Sequence, residues 1–101
     1  MSTNQTLPEE TRVIPSHSVL TTSVMDEGIV LLHLQTSQYY SLNRTGTQIW
    51  QGIQEQQSVG ELSRTLVYHY AITHAEADVA VNTLLAELCA EALVQVELSG
   101  A

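Results

Sequence analysis

The sequence contains no lysine. Apart from four histidines, its basic side chains are Arg12, Arg44 and Arg64, set against eleven aspartates and glutamates, and its formal net charge is -8. Proteins that bind nucleic acids or anionic membranes draw much of their affinity from Lys and Arg that neutralise phosphates. The charge balance therefore argues against a nucleic-acid or membrane-surface partner.

Cysteines and long apolar runs are also scarce. The single cysteine, Cys89, excludes an internal disulfide and a cysteine cluster for zinc, which favours a reducing compartment. The longest apolar run, Ile29 to Leu32, is far too short to cross a bilayer, and the N-terminus lacks the features of a signal peptide. We expect one cytoplasmic domain, since 101 residues with 44% hydrophobic content can bury a modest core.

Residues that could carry catalysis or hold a metal are few and poorly placed. His69 and His74 lie five positions apart across a predicted helix boundary, without an acidic or cysteine partner at ligand spacing. His33 has apolar neighbours, and Cys89 has no nearby basic residue that would lower its pKa. No glycine-rich phosphate loop or nucleophile elbow is present. We expect no enzyme activity, no cofactor and no metal.

The N-terminal half is typical of a small antiparallel sheet. Residues 1–14 are predicted to be a flexible tail that precedes an ordered domain at 15–98. Alternating, β-branched runs predict a first strand from Ser18 to Val24 and a second from Ile29 to Leu34, joined by the turn Asp26-Glu27-Gly28. A third strand, QYYSL, ends at Asn43. Its alternation places Tyr40 and Leu42 inward and leaves Tyr39 as the better candidate for an exposed contact.

The C-terminal half is predicted to be helical. Asn43 is a suitable N-cap for a helix from about Arg44 to Gln54. Two capping boxes, SVGE at 58–61 and THAE at 73–76, open a second helix and a long third helix that ends near Glu91. The final LVQVE predicts a short strand against the sheet or the helix ends. The predicted fold class is α+β and winged helix-turn-helix-like, with a three-stranded antiparallel N-terminal sheet followed by three helices.

The third predicted helix has more apolar surface than one core requires. One stripe consists of Ala77, Val81, Leu84, Leu85, Leu88 and Ala92, and a second arc consists of Val79, Asn82, Ala86, Cys89 and Leu93. The second arc either packs on the sheet or the C-terminal segment, or forms one wall of a groove whose other wall is the edge of the third strand. Such a groove would accept an extended peptide. DNA binding, which a winged helix suggests, is disfavoured because this helix carries four acidic residues and no Lys or Arg.

The runs DEGIVLLHL, YYSLNRTGTQIW, SVGELSRTLVYHY and EADVAVNTLLAELCAEALV resemble the PqqD-like family, also called RiPP recognition elements. The resemblance covers about residues 17–96. Its most specific parts are Tyr40, Leu42, Asn43, Gly46 and Trp50 in the first motif, and Ala77, Asp78, Val79, Leu93 and Val94 in the last helix. One departure is the turn QTSQ before the third strand, where the family commonly has glycine.

The resemblance implies a non-catalytic module that binds the leader segment of a ribosomally made precursor peptide. The leader would join the edge of the third strand and lie against the third helix. Carried onto this chain, the expected peptide-binding residues are Gln38, Tyr39, Tyr40, Ser41, Val79, Asn82, Leu85, Ala86 and Leu93. The expected partners are the precursor peptide and a separate leader peptidase and cyclase of the lasso-peptide type. The alternatives are a chaperone for a radical-SAM enzyme in pyrroloquinoline quinone (PQQ) synthesis, a winged-helix DNA-binding regulator, and a structural adaptor.

Overall fold

The computed structural model describes residues 7–23 and 28–97. Within them the chain forms eight elements in order: β1 Arg12–Pro15, β2 Val19–Ser23, β3 Ile29–His33, β4 Gln38–Leu42, α1 Arg44–Gln54, α2 Val59–Tyr70, α3 His74–Ala90 and β5 Val94–Glu97. The order confirms a mixed α+β domain in which three helices follow an antiparallel sheet. The first six residues of the predicted tail, and Asp26 and Glu27 of the predicted turn, lie outside the described residues.

The larger sheet is the predicted meander, with strand order β2-β3-β4 and antiparallel pairing throughout. Leu31 at the centre of β3 pairs with Thr21 on one side and Tyr40 on the other, and its side chain is fully buried. Alternate residues of β3 point into the core, as expected for a sheet with one covered face. The winged-helix description of this arrangement stays a prediction.

Each helix begins at the capping residue that the sequence predicts. The Asn43 side chain accepts from the N–H of Gly46 at the start of α1. Capping boxes join Ser58 with Glu61 before α2 and Thr73 with Glu76 before α3. These side chains satisfy N–H groups of the first helical turn that have no partner within the helix.

A second sheet, made of β1 and β5, differs from the prediction. The final segment does form a strand, but its partner is β1, with Val13 opposite Val96 and Pro15 opposite Val94. Val13 and Val94 are buried, so the pairing closes one end of the core. The predicted tail therefore includes most of a strand, Arg12 to Ile14, which Pro15 of the predicted domain completes. Its four residues pair with a segment about eighty positions away, and such a distant partner leaves no local periodicity in the sequence.

Residues 7–11, also assigned to the tail, lie against the helices. The N–H of Leu7 donates to Asn82 Oδ1 at 3.0 Å. The carbonyl groups of Glu9 and Thr11 accept from Gly60 and Val59, the first two residues of α2. The chain's own backbone thus satisfies first-turn N–H groups of α2. We attribute the difference from the predicted tail to these backbone bonds, which the polar side chains of this segment do not signal.

The core lies between the inner face of the larger sheet, the three helices and the β1–β5 pair. Trp50 and Ile53 of α1 are 1% exposed, so this helix packs its apolar face into the core. The remaining buried hydrophobic residues come from nearly every element: Val13, Ile29, Leu31, Leu42, Ile49, Val59, Leu62, Leu66, Ala77, Val81, Leu85, Leu88, Leu93 and Val94.

Candidate functional site

Strand β4 is an outer strand of the larger sheet. It pairs with β3 on one side, and within residues 7–23 and 28–97 no strand pairs with its other side. The turn before it contains Ser37 at a φ of 61°, a left-handed conformation that glycine adopts more easily. The chain therefore reaches β4 through a serine in a left-handed backbone conformation. An outer strand has one row of N–H and C=O groups available to another chain.

The hydrogen bonding of β3 determines which groups of β4 are available. The N–H of Leu34 donates to the carbonyl of Ser18 at 2.7 Å, just beyond the β2–β3 ladder. Backbone groups of successive residues in a strand point to alternate sides. Leu32, two residues from Leu34, therefore also bonds towards β2, whereas Leu31 and His33 bond towards β4.

The outward-facing groups of β4 follow from its register. Leu31 pairs with Tyr40, so the backbone of Tyr40 bonds to β3. Its neighbours Tyr39 and Ser41 consequently direct their N–H and C=O groups away from the sheet. Two donors and two acceptors face outward at this edge, and both residues are exposed.

Side chains along β4 alternate as the sequence predicts. Leu42 is 4% exposed and Tyr40 packs partly against the core, whereas Tyr39 is 72% exposed. Gln38 and Ser41 are also exposed. All four strand residues of the predicted site therefore lie along the open edge, with Tyr40 turned towards the helical layer.

Tyr40 connects β4 to α3. Its hydroxyl group donates to Oε1 of Glu87. This hydrogen bond, partial burial and the negative charges of Glu87 and Glu91 raise the pKa of Tyr40 to about 12. The flank of α3 that carries these two glutamates therefore lies beside β4.

The opposite flank of α3 carries Asn82. Glu87 and Asn82 are five residues apart, so they point roughly 140° away from each other around the helix. Asn82 accepts from the Leu7 N–H and donates to the carbonyl of Asp78. The chain's own N-terminal segment thus contacts this flank, and the structure does not bring Asn82 to β4.

The other predicted helical residues divide between solvent and core. Val79 is 67% exposed, and Ala86 is also exposed. Val79 lies roughly 80° and Ala86 roughly 100° around the helix from Glu87, and both point away from the core. Leu85 and Leu93 are 1% and 2% exposed. These two leucines belong to the core beneath the neighbouring surface. The predicted helical residues therefore do not face β4 as a set.

The flank of α3 that does face β4 is not among the predicted site residues. Ala80 and Leu84 lie on the same flank as Glu87 and Glu91, at spacings of seven and three residues from Glu87. Both are partly buried and pack against the core. Leu84 was the residue that could have indicated this flank, because it lies at the margin of the predicted core stripe, next to Glu87. Charged residues usually mark the outer face of a helix, so Glu87 and Glu91 do not by themselves indicate a flank that faces a strand.

A shallow depression continues this surface at the C-terminal end of α3. It lies between His33, Gln38 and Tyr39 of the sheet and Glu91 and Leu93 after the helix. The His33 imidazole is 4% exposed, and its Nδ1 accepts from the N–H of Gln35. In its neutral form the ring therefore carries its proton on Nε2.

The residues considered for catalysis are placed as follows. Burial raises the pKa of the Cys89 thiol, which disfavours a reactive thiolate. His74 does have an acidic neighbour, contrary to the sequence analysis, because its Nδ1 lies 3.4 Å from Asp78 Oδ2 across one helical turn. In the part of the chain that the structure describes, no three His, Cys, Asp or Glu residues form a metal-binding group. None of its described helices is long and apolar enough to cross a membrane.

These features define a small α+β domain in which the open edge of β4 lies beside a helix. The profile of the family described as "Coenzyme PQQ synthesis protein D (PqqD)" matches residues 28–94, which span β3 to the start of β5. The chain belongs to the PqqD family. It matches no curated protein.

Two solved structures share the fold. "TbiB1 in Complex with the TbiA(beta) Leader Peptide" is 27% identical, covers 80% of this chain and 93% of its own, and superposes with a TM-score of 0.75. "Lasso peptide synthetase B1 complexed with the leader peptide" is 21% identical, covers 84% and 96%, and gives a TM-score of 0.73. Each of these similar proteins was solved with a leader peptide bound.

Proposed function

We propose that this protein binds the leader segment of a ribosomally synthesised precursor peptide by adding it as a strand to β4. The observation that carries the proposal is the outward direction of the Tyr39 and Ser41 backbone groups at an open edge. Main-chain hydrogen bonds supply affinity in this mode of recognition, and adjacent side chains supply specificity. The leader would lie between β4 and the flank of α3 that carries Leu84 and Glu87.

The proposed role is that of a non-catalytic carrier. We infer that it delivers the precursor to a separate leader peptidase and a cyclase, as in lasso-peptide synthesis. Binding to a carrier raises the effective concentration of the precursor at the processing enzyme without new bond chemistry. The lasso type is supported by TbiB1, which is 27% identical over most of both chains and holds a leader peptide.

A second candidate role is that of a peptide carrier in PQQ synthesis, as the description of the matching family suggests. The two roles differ in the peptide that is bound. Calorimetric titration with the TbiA(beta) leader peptide and with the PQQ precursor peptide compares them directly. Tighter binding of the TbiA(beta) leader supports the lasso assignment, and tighter binding of the PQQ precursor reverses it.

Amide hydrogen exchange tests strand addition itself. Peptides that bind the protein can be selected from a library of short random sequences displayed on phage. On adding such a peptide, we expect slower exchange at the N–H groups of Tyr39 and Ser41, because only bound peptide pairs with them. The N–H group of Tyr40, which faces β3 in this register, serves as an internal control. Slower exchange confined to α2, for example around the exposed Tyr68, would contradict the proposal.

A further inference from the structure

The flank of α3 that faces β4 combines an apolar strip with negative charge. Ala80 and Leu84 provide partly buried apolar surface, and Glu87 and Glu91 follow along the same flank. The Glu87 carboxylate accepts a hydrogen bond from the Tyr40 hydroxyl, and the charges of Glu87 and Glu91 both raise the pKa of Tyr40. Both carboxylates therefore lie close to the open edge. A strand added to β4 would therefore pass beside both features.

Among the described residues, neither glutamate has a cationic partner. In residues 7–23 and 28–97, no arginine or histidine lies within 4.0 Å of the Glu87 or Glu91 carboxylate, and the one such pair is His74 with Asp78. Arg12 donates instead to the carbonyl of Gln56. The chain has no lysine and a net charge of -8, so its own composition offers little to neutralise this flank.

The Tyr40 hydroxyl holds the Glu87 carboxylate beside the edge and leaves acceptor capacity on it. An ionised carboxylate has about four lone-pair positions, of which Tyr40 uses one. A cationic side chain could therefore bind Glu87 without displacing Tyr40. Lysine and arginine also have an aliphatic stem that lies well on apolar surface while the charged end stays polar.

We propose that the leader has a lysine or arginine at the position opposite Glu87, with its stem on Leu84 and its cationic end at the Glu87 carboxylate. Glu91 adds negative charge on the same side. This inference rests on the proposed strand addition at β4, because the unpaired Tyr39 and Ser41 groups bring the leader to this flank. It assigns to Glu87 the selection of a leader residue, with Tyr40 as the positioning residue.

Peptide selection tests the assignment without knowledge of the natural leader. A library of short random peptides displayed on phage is selected in parallel on wild-type protein, Glu87→Gln, Glu87→Lys and Glu10→Gln. We expect Lys or Arg to be enriched at one aligned position with wild type and with Glu10→Gln. Glu10→Gln removes one negative charge at an exposed site, and Glu10 is not among the groups that raise the pKa of Tyr40. The enrichment should disappear with Glu87→Gln and change to Asp or Glu with Glu87→Lys.

The affinity of one selected peptide gives the size of the effect. Glu87→Gln keeps an oxygen for the Tyr40 hydroxyl and removes the charge, so we expect binding to weaken about fivefold, as for a partly exposed ion pair. Added salt should reduce this difference. Equal basic enrichment on wild type and Glu87→Gln, or no basic position at all, would overturn the inference.

A counter-selection on Ser41→Pro separates this inference from the proposed function. Peptides that bind Ser41→Pro as well as wild type do not use the β4 edge, and both proposals then fail. Peptides that lose binding to Ser41→Pro but have no basic position leave strand addition intact and overturn the role of Glu87 alone.

Discussion

The larger sheet has two outer strands, β2 and β4, and they differ in what lies beside them. Strand β2 has four exposed residues out of five, and no side-chain hydrogen bond joins it to a helix within the described residues. Strand β4 is bonded to α3 through Tyr40 and Glu87. Backbone groups at either edge could pair with another strand. An adjacent helix flank adds contacts that depend on the peptide sequence, so β4 is the edge suited to selective recognition.

Removing one outward N–H from each edge tests whether the two outer strands differ in peptide binding. Ser41 directs its N–H outward on β4, and Thr21, opposite Leu31, does so on β2 by the same alternation. Proline at an outer strand position with an outward N–H costs no bond inside the sheet. We expect Ser41→Pro to weaken peptide binding at least about tenfold, since it removes a donor and places a ring in the path of the added strand.

The matched variant Thr21→Pro should leave peptide affinity within about twofold of wild type. Calorimetric titration with one selected peptide measures both variants, and circular dichroism checks that each remains folded. Equal losses at the two edges would show that β4 has no special role.

A second pair of variants asks which flank of α3 the peptide touches. Ala80 lies roughly 20° around the helix from Glu87, whereas Ala86 lies roughly 100° away and is exposed. Ala86 belongs to the binding wall predicted from sequence, whereas Ala80 lies on the flank of α3 that carries Glu87, the partner of Tyr40. We expect Ala80→Arg to weaken peptide binding about tenfold by filling the space next to the edge, and Ala86→Arg to change it less than twofold.

Fluorescence anisotropy with a labelled selected peptide measures this pair, and thermal unfolding monitors the stability cost at the partly buried Ala80. A larger loss of affinity with Ala86→Arg than with Ala80→Arg would show that the peptide binds the flank predicted from sequence.

Local signals made much of the fold predictable, and non-local packing limited the rest. Asn43, Ser58 and Thr73 cap their own helices, so their roles depend on residues three positions away. The alternation at Tyr39 and Tyr40 likewise follows from strand geometry alone. The pairing of β1 with β5 depends on segments at opposite ends of the described chain, and no local pattern encodes it.

The helical half of the candidate site shows the same limit. Small or apolar residues lie on both sides of the core stripe of α3, for example Ala80 on one side and Ala86 on the other. Which side meets β4 depends on the rotation of the helix against the sheet, and the helical wheel does not contain that information. The Tyr40–Glu87 hydrogen bond supplies it.

The smallest expected effect concerns that hydrogen bond itself. The folded-state pKa of Tyr40 is raised to about 12, so the contribution of the bond to stability is complete below the ordinary tyrosine pKa of about 10 and is lost as the pH rises through about 12. Ultraviolet absorbance of tyrosinate should show Tyr40 ionising in this late step. Tyr40→Phe should remove the late step, whereas Tyr39→Phe, at the exposed neighbouring position, should leave it in place. If Tyr40→Phe leaves the late step unchanged, the edge strand and α3 are not joined as described, and the contrast between the two edges loses its structural basis.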